Sequence, residues 1–187
     1  MIPSLFIGHG APSLIFDNNE YTEFLKSYSK NISKPKAIII FSAHFESDIQ
    51  TIGAAKHYDM IYDFYGFPEE LYHIRYNSGS DIELTSKIHN LLKANHIESI
   101  LDYKRGIDHG AWTMLKLMYP EIDVPVITMS VNTKLSNEEL YNIGRALESL
   151  RSDDILIIAS GGIVHNLGKV KFDNSKNIDS WALVIAL

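Results

Sequence analysis

Cysteine is absent from this sequence, which excludes disulfides and thiolate metal sites, so any metal must be held by His, Asp or Glu. No apolar run approaches the ~20 residues that a membrane span requires. The N-terminus has no basic region leading into an apolar stretch, so no secretory signal is read there. The default expectation from these absences is a soluble, cytoplasmic protein. An excess of positive charge is missing as well. The 17 Lys and Arg are outnumbered by 23 Asp and Glu, for a net charge of −6. With no basic stripe, the balance argues against a nucleic-acid partner.

What is present is ordinary globular material. Apolar residues make up 45% and charged residues 21% of the chain, too apolar for a disordered one. Its 187 residues fit one domain with a real core, and no repeat or internal linker interrupts them.

Four short runs rich in β-branched residues stand out: Ser4–Ile7, Lys36–His44, Val124–Val131 and Asp154–Gly162. Continuous apolar runs of this length predict strands buried on both faces, as in a parallel sheet. Helical patterns separate them. Glu20–Lys30 is one, and Ser80–His96 is a second, with Ser80 as its cap. Gly110–Pro120 is a third, stopped by its proline. Ser136–Arg151 is a fourth, opening with Ser136 three residues before Glu139 as a capping box. Strand and helix in alternation predict a single-domain α/β sandwich, with helices flanking a central, mostly parallel sheet. Asp48–Asn77 is less regular and dense in aromatics. It reads equally as packing under a long loop or as one wall of a pocket for a flat ligand.

The histidines carry the chemistry. In open α/β sheets, ligands bind beyond the carboxyl ends of the strands. His9 follows the first apolar run, His44 ends the second, and His165 comes shortly after the last. His109 lies in a turn just ahead of the third helix. One such histidine is more often a turn or core residue than a ligand, but four at strand ends point to a shared rim. Imidazole is the commonest neutral metal ligand and suits iron or zinc. Glycines at 8, 10, 161 and 162 permit tight turns and close approach to a ligand. Asp108, beside His109, is placed to hydrogen-bond a neighbour or fix an imidazole tautomer. His57, His73, His89 and His96 read as surface or packing residues.

The segments "FIGHGAPS", "KPKAIIIFSAHFES", "YDFYGFPEELYHIRY", "DHGAWTMLKLMYPEIDVPVITMSV" and "IIASGGIVHNLG", in this order, resemble the class III extradiol ring-cleavage dioxygenases. More narrowly, they resemble the DOPA 4,5-dioxygenase-type members of the LigB superfamily. The resemblance runs from Met1 to Leu187 and implies one catalytic domain over residues 1–187. It implies that His9 and His44 are metal ligands. It also implies that His165 is an acid–base group or a further metal contact, and that His109 lines the same pocket with a catalytic role. The cofactor implied is Fe(II) or Zn(II), and the partners implied are a catechol-type aromatic substrate and O2. Family chains continue past the point matching Leu187 with a late "EHYLP"-like motif that holds a further ligand. Together with the uncapped helical pattern "SWALVIAL" (Ser180–Leu187), this leads us to expect a chain lacking the family's C-terminal segment. Arg75 and Arg105 are candidates for a charged group on the ring. A zinc hydrolase on the same fold, or a non-catalytic binding module, are the alternative readings.

Overall fold

The computed structural model describes residues 1–162 and 165. The expected helical turns at Ser180–Leu187 lie outside the described residues. The strands are β1 (Ser4–Gly8), β2 (Ala37–Ser47), β3 (Gln50–Gly53), β4 (Ser99–Asp102), β5 (Val126–Asn132) and β6 (Ile155–Gly161). They form one sheet in the order β1-β6-β2-β5-β3-β4. All neighbours are parallel except β3 against β5. The helices are α1 (Glu20–Asn31), α2 (Glu69–Tyr72), α3 (Ile82–Ala94), α4 (His109–Met118) and α5 (Asn137–Leu147). The architecture is the expected α/β sandwich around a mostly parallel sheet.

Side chains alternate across each strand, and this sorts the core into two layers. Ile38 and Ile40 of β2 face α1 and α4, where Leu25, Ala111, Trp112 and Leu115 are buried. Ala37 and Ile39 face the other way, toward Ile88 and Leu92 of α3 and Ile143 and Leu147 of α5. α4 is buried along its whole length apart from a half-buried Lys116, so it acts as an interior element rather than a surface helix.

Local chemistry sets the helix starts. Asn19 caps α1, its side chain accepting from the Tyr21 and Thr22 N–H groups, and Thr22 returns the bond. The Ser136–Glu139 capping box forms at α5. At α3 the cap is Asp81 rather than Ser80: Asp81 Oδ1 accepts from the Leu84 N–H at 2.8 Å, while the Ser80 hydroxyl donates to the Ala55 carbonyl. His109 is the first residue of α4 rather than part of a preceding turn. β3 and β4 were not evident from the sequence, being four residues each and too short for a period to register. β1 departs from the expected two-sided burial. It pairs with β6 alone among the described residues, and its Phe6 is 60% exposed. Among the described residues, no helix is long and apolar enough to cross a membrane.

Candidate metal centre

Because β1, β6 and β2 run parallel side by side, their carboxyl ends share one rim. His9 follows the last residue of β1, and Gly10 (φ 61°) then takes the chain away in a left-handed turn that glycine adopts without strain. His44 comes from the far part of β2 and His109 from the first turn of α4. Their ligand atoms all lie within 4.8 Å of one another, with ring centroids 4.0 Å apart for His44 and His109 and 4.8 Å for His9 and His44. His9 and His109 are buried, and His44 is half-buried. A side chain at residue 110 would block this convergence. A Cβ there would lie 2.6 Å from Ser42 Oγ and 2.9 Å from His44 Cδ2, so α4 reaches the rim only with glycine at that position.

Hydrogen bonds orient the rings. The Ser160 hydroxyl donates to the Gly110 carbonyl and therefore accepts from His9 Nδ1–H at 3.1 Å. His9 Nε2 is then bare, and it lies 3.0 Å from His44 Nε2. Two nitrogens this close need a proton or a cation between them, since facing lone pairs repel. That contact, and a donor set of imidazoles with no thiolate, fits a borderline divalent metal such as zinc or iron.

Electrostatics separate the three histidines. Burial, then the neighbouring His44 and His109, push the His9 pKa down to about 4, which keeps the ring neutral at physiological pH. The hydrogen bond to Asp63, partly opposed by burial, raises that of His44. Asp63 itself is opposed by burial, but hydrogen bonds from His109 and His44 hold its carboxyl well below the usual carboxylate range.

Asp63 was not anticipated. It accepts from His109 Nδ1 at 2.7 Å and pairs with His44 Nδ1 at 3.0 Å. The orienting role foreseen for Asp108 falls to Asp63 instead, because the oxygens of Asp108 are taken by Ser42 Oγ (2.5 Å) and Arg105 (3.0 Å). Ser160 was also overlooked. The signals available were an acid inside the aromatic run "YDFYGF" and a serine directly before the Gly161–Gly162 pair.

His165 is exposed and stands outside the three-histidine group, though its charge is felt by His9. Neither candidate arginine is free. Arg105 also bonds the His44 carbonyl and stacks 4.1 Å from the Phe45 ring centroid. Arg75 donates to Tyr62 Oη and to the Tyr72 and Ile74 carbonyls. The aromatic stretch does approach the centre, with Phe64 set edge-on to His109 at 5.6 Å. Of the remaining histidines, His57, His73 and His96 are exposed, and His89 bonds Ser99 Oγ at 2.8 Å.

Known proteins share this arrangement of chain. A 4,5-DOPA dioxygenase extradiol of Beta vulgaris is 42% identical over 166 residues, covering 87% of this chain and 62% of that protein. One from Escherichia coli is 34% identical over 182 residues, covering 97% of this chain and 66% of its own length. The crystal structure of an uncharacterized protein from Escherichia coli K12 superposes with a TM-score of 0.81 at 29% identity, over 98% of this chain and 69% of that one. The chain thus spans a little under two thirds of the curated relatives it matches. The family described as the catalytic LigB subunit of aromatic ring-opening dioxygenase matches residues 7–183. With nearly the whole sequence inside that match, the chain belongs to the LigB family of aromatic ring-opening dioxygenases.

Proposed function

We propose that this chain carries the metal centre of an extradiol dioxygenase that opens a catechol-type ring with O2. The observation that supports it most is the convergence of His9, His44 and His109 within 4.8 Å on the rim where a parallel sheet presents its ligands. In this reading the three imidazoles hold the metal, Fe(II) or Zn(II). A bound divalent cation would favour the ionised diol and bring O2 beside the ring. The protein's own residues do the rest. His9, kept neutral by burial, offers a lone pair without first losing a proton. Phe64 and Tyr62, packed near His109 and Trp112, form one wall for a planar substrate. His165, exposed and a few residues beyond Ser160 in sequence, takes the proton of the second hydroxyl and returns it during ring opening. Imidazole is the side chain suited to accept and return a proton in general acid–base chemistry.

The test is metal content and oxygen uptake. Protein prepared without oxygen and loaded with Fe(II) is expected to bind the metal and, given a catechol, to consume one O2 for each ring opened, with a yellow product. Failure to bind metal, or ring opening that proceeds anaerobically, overturns the reading.

A further inference from the structure

The carboxylate of Asp63 lies between two imidazoles delivered by different elements, His44 from β2 and His109 from α4. Oδ2 is 3.0 Å from His44 Nδ1. Oδ1 is 2.7 Å from His109 Nδ1 and 3.2 Å from the His109 backbone N–H. An ionised carboxylate only accepts hydrogen bonds, and a neutral imidazole carries one proton. Each ring must therefore carry a proton on Nδ1, toward Asp63, which leaves Nε2 as its free nitrogen; in the metal-free protein the 3.0 Å contact between His44 Nε2 and His9 Nε2 is bridged by a further proton.

We infer that Asp63 is a positioning residue that holds a proton on Nδ1 of both His44 and His109, so that the lone pairs they can offer a metal are those of Nε2. The role of those lone pairs as metal ligands rests on the function proposed above; the tautomers themselves do not. The mount for Asp63 is the aromatic stretch. Trp112 Nε1 donates to the Ile61 carbonyl at 3.2 Å, and Tyr62 Oη donates to the Ile74 carbonyl at 2.6 Å. The Tyr62 and Phe64 rings each stand 6.3 Å from Trp112. The residues on either side of Asp63 are thus held while its side chain spans the two histidines. His9 is set separately, by Ser160, so the three rings answer to two independent anchors.

Asp63→Asn is nearly isosteric but has one acceptor oxygen and an NH2 donor, so it cannot accept from both rings. Nitrogen-15 shifts of the histidine rings in the metal-free protein read directly which ring nitrogens carry a proton. Wild type is expected to show Nδ1–H at both His44 and His109. Asp63→Asn is expected to turn at least one ring to Nε2–H and to weaken Zn2+ binding by about 10- to 100-fold, the usual cost of losing a ligand's outer partner. A merely structural Asp63 would leave the ring nitrogens as they are. A bare Nδ1 at either ring in wild type, or an Asp63→Asn protein that keeps both Nδ1 protons and its Zn2+ affinity, overturns the inference. The wild-type measurement decides even where the variant does not fold. Equal Zn2+ binding by wild type and His44→Ala would instead sink the metal-centre reading and leave the tautomer question separately answerable.

Discussion

The two faces of the sheet are built from the same strands and do different work. On the α3–α5 side the buried apolar residues are all Ala, Ile, Leu or Met, with one aromatic, Phe41, packed against them, a layer that fills space at high density. On the α1–α4 side the core adds Tyr58, Tyr76 and Trp112, with Tyr62, Phe64 and Phe67 packed against it. That side also presents a helix N-terminus to the rim where the histidines gather. The contrast teaches that a site needs both a rigid aliphatic backing, which fixes the strands, and a face with polar and aromatic handles, which aims the side chains.

Substitutions should pull the two faces apart. The largest effect is expected from His44→Ala, which removes the central imidazole: bound metal and ring cleavage fall below detection, while the thermal midpoint changes little. Metal analysis beside calorimetry checks both halves. On the opposite face, Leu92→Ala deletes a fully buried side chain and is expected to cost about 2–5 kcal/mol of stability. The metal affinity of the folded protein should stay as in wild type, and a metal loss equal to that of His44→Ala would erase the contrast. Gly110→Ala straddles both roles. Its Cβ meets Ser42 Oγ and His44 Cδ2, so it should destabilise by about 1–3 kcal/mol, as overpacking does, and weaken Zn2+ binding as well. The remaining effect is in pH. Because the folded-state pKa of His9 lies near 4 instead of 6.5, the unfolded chain takes up a proton across that window that the folded protein refuses. Stability of the metal-free protein should therefore fall as pH drops from about 6.5 toward 4. His44 is shifted the other way, so its contribution is already complete below 6.5, and Asp63 loses its contribution only at lower pH still. Thermal melts of His9→Gln should lack that slope; a slope equal to wild type would assign it to other groups.

Much of this was legible from residues. The four long strands announced themselves through β-branched runs, and α5 through its Ser136–Glu139 box. His9 and His44 could be placed on one rim because parallel strands end together. The parts that escaped are those with no period to read: β3 and β4 are too short, and β1 sits at an edge that its apolar composition does not reveal. Asp63 escaped for a different reason. A single acid in an aromatic run has a meaning only once two distant rings are known to lie on either side of it, 19 residues before and 46 after in the case of His44 and His109. Asp108 does hydrogen-bond neighbouring groups, Ser42 and Arg105, but sequence adjacency to His109 does not say which partner its carboxylate meets.

β6 lies between β1 and β2, and this has a bearing on biosynthesis. Among the described residues β1 finds its neighbour only in β6, so it must wait while some 150 residues are translated. His9 and its anchor Ser160 are 151 positions apart. Pairings this distant are slow to close, and during that interval the nascent N-terminus has an unmatched strand available to other chains. Closure of the histidine cluster accordingly waits on β6, which must take its place between β1 and β2.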